Sequence, residues 1–158
     1  MLYFKSIRWK NLLSTGNQFT EIQLDKISTT LIVGENGSGK STILDALCFG
    51  LFSKPFRRIN RPQLINSIND GGLLVEIEFE IGSKSYMVRR GIKKNIFEIF
   101  IDGKRLNQDA KTADQQEYLE KTILKLNYKS FTQIVLLGAN HYIPFMQLKS
   151  TDRRNIIE

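Results

Sequence analysis

The chain has 158 residues, 41% of them hydrophobic and 25% charged; this is ordinary globular usage and excludes a disordered chain, a collagen and a disulfide scaffold. Lys and Arg number 23 against 16 Asp and Glu, a formal charge of +7; that surplus favours an anionic partner such as nucleic acid without naming it. The single cysteine, Cys48, excludes an internal disulfide and fits a reducing, intracellular setting. No apolar run reaches the ~18 residues of a transmembrane helix, and the N-terminus has no apolar signal-peptide core. Neither a repeat at solenoid spacing nor a low-complexity tract is present.

In chain order, residues 2–10 interleave apolar residues with Lys5, Ser6, Arg8 and Lys10 and predict a strand. A turn follows around Ser14–Asn17, then a short alternating run at Phe19–Leu24. Thr29–Val33 predicts a third strand, apolar at its end and so expected to be buried. The glycine-rich Gly34–Ser41 leads into a helix over Thr42–Phe52 whose apolar residues cover nearly its whole circumference. Such a helix belongs at the centre of a fold. Residues 53–71 are basic, hold Pro55 and Pro62, and read as loop. Leu73–Ile81 alternates cleanly, with Leu73, Val75, Ile77, Phe79 and Ile81 on one face and Glu76, Glu78 and Glu80 on the other. Gly82-Ser83 turns it into Tyr86–Arg90, Ile96–Ile101 follows, and Asp102-Gly103 is a hairpin turn into Lys104–Leu106. Together these form an antiparallel meander. Thr112 with Gln115 resembles a capping box for a helix to about Leu126, with Leu119, Ile123 and Leu126 on one stripe. Phe131–Leu137 predicts a buried strand, and Ser150 or Thr151 caps a last helix that reaches Glu158 within two turns.

One motif carries chemistry. Gly34-Glu35-Asn36-Gly37-Ser38-Gly39-Lys40-Ser41 fits G-x-x-x-x-G-K-[ST]. Its glycines let backbone N–H groups converge on phosphate oxygens, and the following helix N-terminus adds partial positive charge. Lys40 reaches the β- and γ-phosphates, the Ser41 hydroxyl ligates Mg²⁺, and Thr42 donates to the α-phosphate. Chance would place the motif in roughly one chain of this length in a few hundred, and the apolar run before it and helix after it match its required context. A second part is missing. Hydrolysis needs an acid at the end of an apolar strand; the only lookalike, Asp102 after Ile99–Ile101, sits in a hairpin turn. Phe131–Leu137 ends in Gly138-Ala139, and base-reading N-K-x-D is absent. The chain is expected to hold a nucleotide without turning it over alone.

Lys10-Asn11 with Ser14, the loop GENGSGKST and the continuation ILDAL resemble the ABC-type heads of SMC-like ATPases. FGLFSKPFR and QLINS narrow the resemblance to SbcC-type (Rad-type) break-repair ATPases, among them the ATPase subunits of T-even-type phage recombination endonucleases. The stretch from Ser130-Phe131-Thr132 through Pro144-Phe145 to Arg153 fits the same group. The resemblance implies an α/β fold with α+β character: lobe I of an ABC-ATPase head, a P-loop NTPase core with an antiparallel β meander, over residues 1–150. Residues 151–158 then begin a helix leading to a coiled coil, and the chain reads as an isolated N-terminal lobe. The resemblance further implies ATP and Mg²⁺ as cofactors, with Asn11, Ser14, Gly34, Asn36, Gly37, Ser38, Gly39, Lys40, Ser41 and Thr42 around the nucleotide, Lys40 catalytic and Ser41 on the metal. Implied partners are a C-terminal lobe with the Walker B acids and signature sequence, a second head, a metallophosphoesterase-type nuclease subunit, and DNA. ATP closes two such heads around two nucleotides, and hydrolysis reopens them to gate the nuclease. A location in the cytoplasm is implied, the host's if the chain is phage-encoded, with no membrane partner. The pattern departs at two places. Leu13 stands where the family usually has Arg, and Ala139 stands at the Q-loop glutamine, while Gln133 lies inside the expected strand. Asn140 or His141 takes over the polar role there, or each is an exposed loop residue.

Lys54, Arg57, Arg58 and Arg61 cluster after the P-loop helix. They contact a DNA backbone without sequence preference, or they form a solvated loop pairing with Glu76, Glu78 and Glu80. Arg89-Arg90 and Lys93-Lys94 form a second basic patch, of which some exposure is expected in any strand. Besides the repair ATPase, two functions stay open. One is an SMC or RecN-type DNA-tethering ATPase, which FGLFSKPFR and QLINS disfavour. The other is a stand-alone nucleotide-binding module.

Overall fold

The computed structural model describes residues 1–35, 39–106, 109–136 and 145–157. The chain divides into two compact units, Met1–Thr112 and Ala113–Glu158.

The first unit is a sheet with a helix on it. Strands β1 (Leu2–Lys10), β2 (Thr20–Gln23), β3 (Leu73–Ile81), β4 (Lys84–Ile92), β5 (Ile96–Ile101) and β6 (Lys104–Arg105) pair antiparallel in the order β2-β1-β3-β4-β5-β6. The bounds predicted for the strands at 73–81 and 96–101 match β3 and β5. Register aligns Ile7, Ile77, Val88 and Ile99 in one row across four strands, and all four are buried. Helix α1 (Thr42–Phe52) lies against β1, β3 and β4. Ala46, Leu47, Cys48, Phe49, Leu51 and Phe52 are all buried, as its all-round apolar circumference requires. Burial pushes the Cys48 thiol well above its ordinary range, and the neighbouring Asp45 adds to the shift.

Gly50 explains how closely helix and sheet approach. A Cβ there would stand 2.4 Å from Ile77 Cδ1 and 3.1 Å from Val75 Cγ1. Gly50→Val would overpack a full core, so about 2–3 kcal/mol of stability is expected to be lost. Urea unfolding measures this, and a variant as stable as the parent would show that the contact is not tight.

The next row of the sheet faces the other way and is polar. Register brings Arg8, Glu76, Arg89 and Glu98 side by side. Glu76 bonds to Arg8 and to Arg89 (2.8 Å), and Glu98 pairs with Arg89 (3.3 Å) and Arg105 (3.6 Å). Alternating signs across strands are favourable. Glu76, expected on the solvent face, is thereby buried between two guanidinium groups.

Two parts of the first unit correct the sequence reading. Thr29–Val33 forms no strand, and Leu31 and Val33 are 84% and 78% exposed. An apolar run is buried only where a neighbouring strand meets it, and no described residue does so here. The second basic patch is also dispersed. Arg89 is held by Glu76 and Glu98, Arg90 points inward to α1, and Lys93 pairs with Asp70.

The second unit is helical. Helix α2 starts at Thr112, so Thr112 is its first helical residue rather than its cap, and runs to Tyr118. It passes into a π-helical turn over Leu119–Leu124 and stops at Lys125 in the left-handed conformation. The wider turn changes the apolar stripe, so that Leu119, Ile123 and Leu124 are buried and Leu126 is only half-buried. Of the strand predicted over Phe131–Leu137, residues 131–134 belong instead to helix α3 (Tyr128–Ile134), and Leu137 lies outside the described residues. Asn127 Oδ1 accepts from the Ser130 amide at 2.8 Å and starts the helix three residues earlier. That cap decides between structures which a short apolar run leaves equal. Helix α4 (Ser150–Ile157) follows a 3-10 turn at Phe145–Gln147. Among the described residues no helix is long and apolar enough to cross a membrane.

Candidate nucleotide-binding cleft

The N-terminus of α1 opens into a cleft of ≈ 420 Å³ lined by Leu13, Ser14, Gly39, Lys40, Ser41, Thr42 and Arg57. Each wall has a local cause. Gly39 has φ +92°, a conformation L side chains rarely adopt, which lets the chain turn from the loop into the helix. Ser41 precedes the helix in αR geometry and makes no side-chain cap hydrogen bond, so its hydroxyl is not spent on the helix. Lys40 Nζ donates to Gly34 O at 2.6 Å, tying the first residue of the motif to the last turn of the loop. The two other N–H groups of Lys40 have no partner among the described residues.

Arg57 adds a cation that the motif does not contain. The Asp45 carboxylate, 1% exposed within α1, reaches the loop after the helix. Its Oδ1 accepts from the Phe56 and Arg57 amides at 3.0 and 3.1 Å, and its Oδ2 accepts from Arg57 Nε at 2.7 Å. Arg57 is thereby pinned through Nε, and its two terminal NH₂ groups stay unpaired among the described residues. A buried carboxylate must be paired to be tolerated, and here the pairing aims a guanidinium at the cleft. A lone Asp in an otherwise apolar helix was the readable signal, but its partner was not.

The other predicted residues divide. Gly34 is joined to Lys40, as above. Asn36, Gly37 and Ser38 lie outside the described residues, as do Ala139 and the proposed Q-loop substitutes Asn140 and His141. Asn11, expected at the nucleotide, does not line the cleft. It is buried, its Nδ2 donating to Asn17 Oδ1 (2.8 Å) and Gly72 O (3.1 Å) and its Oδ1 accepting from Asn69 Nδ2 (2.8 Å). Gln133 sits in α3 rather than in a strand. The four-cation loop is not one surface. Arg57 pairs with Asp45 rather than with Glu76, Glu78 or Glu80. Arg61 donates to Ser53 Oγ at 2.9 Å and lies 5.7 Å from the Phe49 ring, while Lys54 and Arg58 are exposed.

The donor set suits a polyphosphate with a divalent cation: an ammonium, a guanidinium, an unspent serine hydroxyl and a helix N-terminus. Among the described residues that line the cleft there is no carboxylate. Asp102 is a turn residue, with φ 49° and Oδ1 accepting from the Ser85 amide at 2.9 Å.

The family model described as AAA domain matches residues 6–157. "Exonuclease subunit 2" of Escherichia phage RB69 is 49% identical over 96% of this chain, and its namesake from Enterobacteria phage T4 is 48% identical over the same share. A "DNA double-strand break repair Rad50 ATPase" of Thermoplasma volcanium is 29% identical over 99% of the chain. The chain spans 27% of the length of each phage relative and 17% of the archaeal one. Among solved structures, a chain from work on ATP-driven dimerization and DNA-stimulated activation of SMC ATPases superposes with TM-score 0.60 at 24% identity, covering 98% of this chain and 97% of that one. An SmcHead bound to the C-winged helix domain of ScpA gives TM-score 0.64 at 22% identity, covering 98% of this chain and 49% of that one. At these identities the likeness is one of fold.

Proposed function

Because the chain belongs to the AAA domain family, as an N-terminal lobe of the SMC/SbcC type, we propose that it is the ATP-binding lobe of the ATPase subunit of a recombination or break-repair endonuclease. The observation that carries this reading is the convergence of Ser14, Lys40, Ser41, Thr42 and Arg57 on one cleft at the start of α1. Lys40 and Arg57 bring two positive charges to a triphosphate, and Ser41 offers its hydroxyl to Mg²⁺. Bound Mg²⁺ neutralises charge on the phosphate oxygens during transfer. Thr42, the remaining hydroxyl at the start of α1, is placed to hold a further oxygen. The chain's part is to bind and orient the nucleotide.

Turnover then requires an acid to position the attacking water, and in this proposal a second lobe supplies it together with the signature sequence. A nucleotide touching both faces favours the closed pair of heads, a population shift that gates the nuclease. A metallophosphoesterase-type nuclease and DNA are the partners of this reading, with Lys54 and Arg58 as candidates for sequence-independent backbone contact. The identity to the phage exonuclease subunits, against 24% and 22% for the SMC structures, favours this over a purely tethering role.

The test is thermal unfolding and phosphate release measured together on the purified chain with Mg-ATP. The melting temperature is expected to rise without phosphate release. Phosphate release by this chain would mean that it holds its own catalytic acid, and the half-site reading would fall.

A further inference from the structure

We propose that Asn66 is a positioning residue of the nucleotide cleft, acting through Leu13 and Ser14 without touching the ligand. The proposal rests on the nucleotide-binding reading above. Asn66 belongs to the QLINS segment, which that reading leaves without a task.

Its side chain is buried and uses its full hydrogen-bonding capacity. Nδ2 donates to Leu13 O and to Thr15 O, both at 3.0 Å. Oδ1 accepts from the Ile68 and Asn69 amides, both at 3.0 Å. An amide offers two donors and two acceptor sites, so none is left over. The two carbonyls it grips flank Ser14, which lines the cleft. The main chain reinforces the clasp. The Asn66 amide donates to Asn11 O (2.8 Å), the Leu13 amide donates to Leu64 O (2.7 Å), and Leu12 bridges Ile65.

The clasp holds a strained conformation. Leu13 has φ 53°, a left-handed conformation that L side chains other than Asn and Asp rarely adopt. Such a residue persists only when its surroundings over-determine it, and it marks functional sites more often than others. Leu13 N and O are both bonded to the Leu64–Asn66 segment. Asn11, at the same φ of 53°, is locked to Asn17, Asn69 and Gly72 at the base of the same loop. The asparagine expected at the nucleotide therefore works from behind, as Asn66 does. Without the clasp the loop relaxes and Ser14 leaves its place beside Lys40 and Ser41.

Asn66→Asp tests this directly. It preserves shape and the Oδ1 acceptor of the 66–69 turn, but sets an oxygen against the Leu13 and Thr15 carbonyls. Two quantities are measured on the purified chain: the Kd for Mg-ATP by calorimetry, and amide exchange of the chain without nucleotide. The Kd is expected to rise at least about ten-fold, with exchange at Leu13 and Thr15 faster by a similar factor and exchange in β3 and β4 unchanged. Asn66→Ala should do the same. Binding within two-fold of the parent in both variants overturns the proposal, even if the melting temperature falls, because a purely structural role predicts that result. Lys40→Ala separates the two levels. If the parent does not bind Mg-ATP, or Lys40→Ala binds as the parent does, the nucleotide reading fails and takes this proposal with it. If Lys40→Ala loses binding and the Asn66 variants keep it, only this proposal fails.

Discussion

Lys40→Ala is expected to raise the Kd for Mg-ATP by at least about 100-fold, which is about 2.7 kcal/mol of lost binding free energy. The size follows from the chemistry. The lysine contributes the only ammonium among the described residues lining the cleft, and charge-assisted hydrogen bonds to phosphate are roughly twice as strong as neutral ones. Its removal also leaves phosphate charge facing Arg57 alone. The same substitution should barely touch the fold. Lys40 is half-buried and its described bond is to a loop carbonyl, Gly34 O, and substitutions of that kind usually stay within about 0.5 kcal/mol. The two effects separate in one experiment. Nucleotide at a hundred times its Kd stabilises by about 2.7 kcal/mol, which for a domain of this size is a rise of roughly 5–10 °C in Tm. The variant should match the parent without nucleotide and lose that rise with it. A variant that keeps the rise would place the nucleotide elsewhere.

Arg90→Ala is expected to cost about 3 kcal/mol or more of stability. Arg90 extends from β4 into the core, where it is 2% exposed. Its Nε donates to Gly50 O at 3.0 Å and its Nη2 to Leu51 O at 3.4 Å, and the guanidinium lies 3.7 Å from the Phe97 ring centroid. These carbonyls belong to the last turn of α1, which has no basic residue of its own there. The strand thus supplies the cation that complements the C-terminal end of the helix dipole. Truncation leaves both carbonyls buried without this partner and removes the stack on Phe97. A hydrogen bond to a charged group typically contributes about 1.5–3 kcal/mol, and a desolvated contact with an aromatic face about 2 kcal/mol more. Arg90→Lys should recover less than half, since a point charge cannot follow two carbonyls and an aromatic face at once. Urea unfolding of both variants decides it, and a loss below about 1 kcal/mol for Arg90→Ala would show that Arg90 does not hold the helix. The consequence reaches the cleft, because α1 carries Ser41 and Thr42 at its other end.

Much of this molecule is legible in short windows of sequence. Alternation over Leu73–Ile81, the Asp102-Gly103 turn, the apolar circumference of Thr42–Phe52 and the motif from Gly34 to Ser41 each rest on forces acting within about ten residues: side-chain period, turn chemistry and backbone freedom. They sufficed for the meander of β3 to β6 and for the central helix, while the place of β1 between β2 and β3 was not readable from them. Tertiary structure decided what depends on distant neighbours. Thr29–Val33 has a strand's composition but no ladder partner among the described residues, so it is exposed. Phe131–Leu137 was settled by a cap at Asn127 that outweighs an ambiguous apolar run. The basic residues were visible, but their partners were not: Arg57 turned to Asp45 and the cleft, Arg90 to the end of α1, and Arg89 to Glu76 and Glu98. Asn66 meets Leu13 across 53 positions of chain, a distance over which no periodicity reaches. Local sequence therefore determined which elements form and which ligand chemistry the loop offers. The packing of remote segments decided which polar side chains reach the cleft and which hold it from behind, because a buried charge or amide goes wherever the fold brings it a partner.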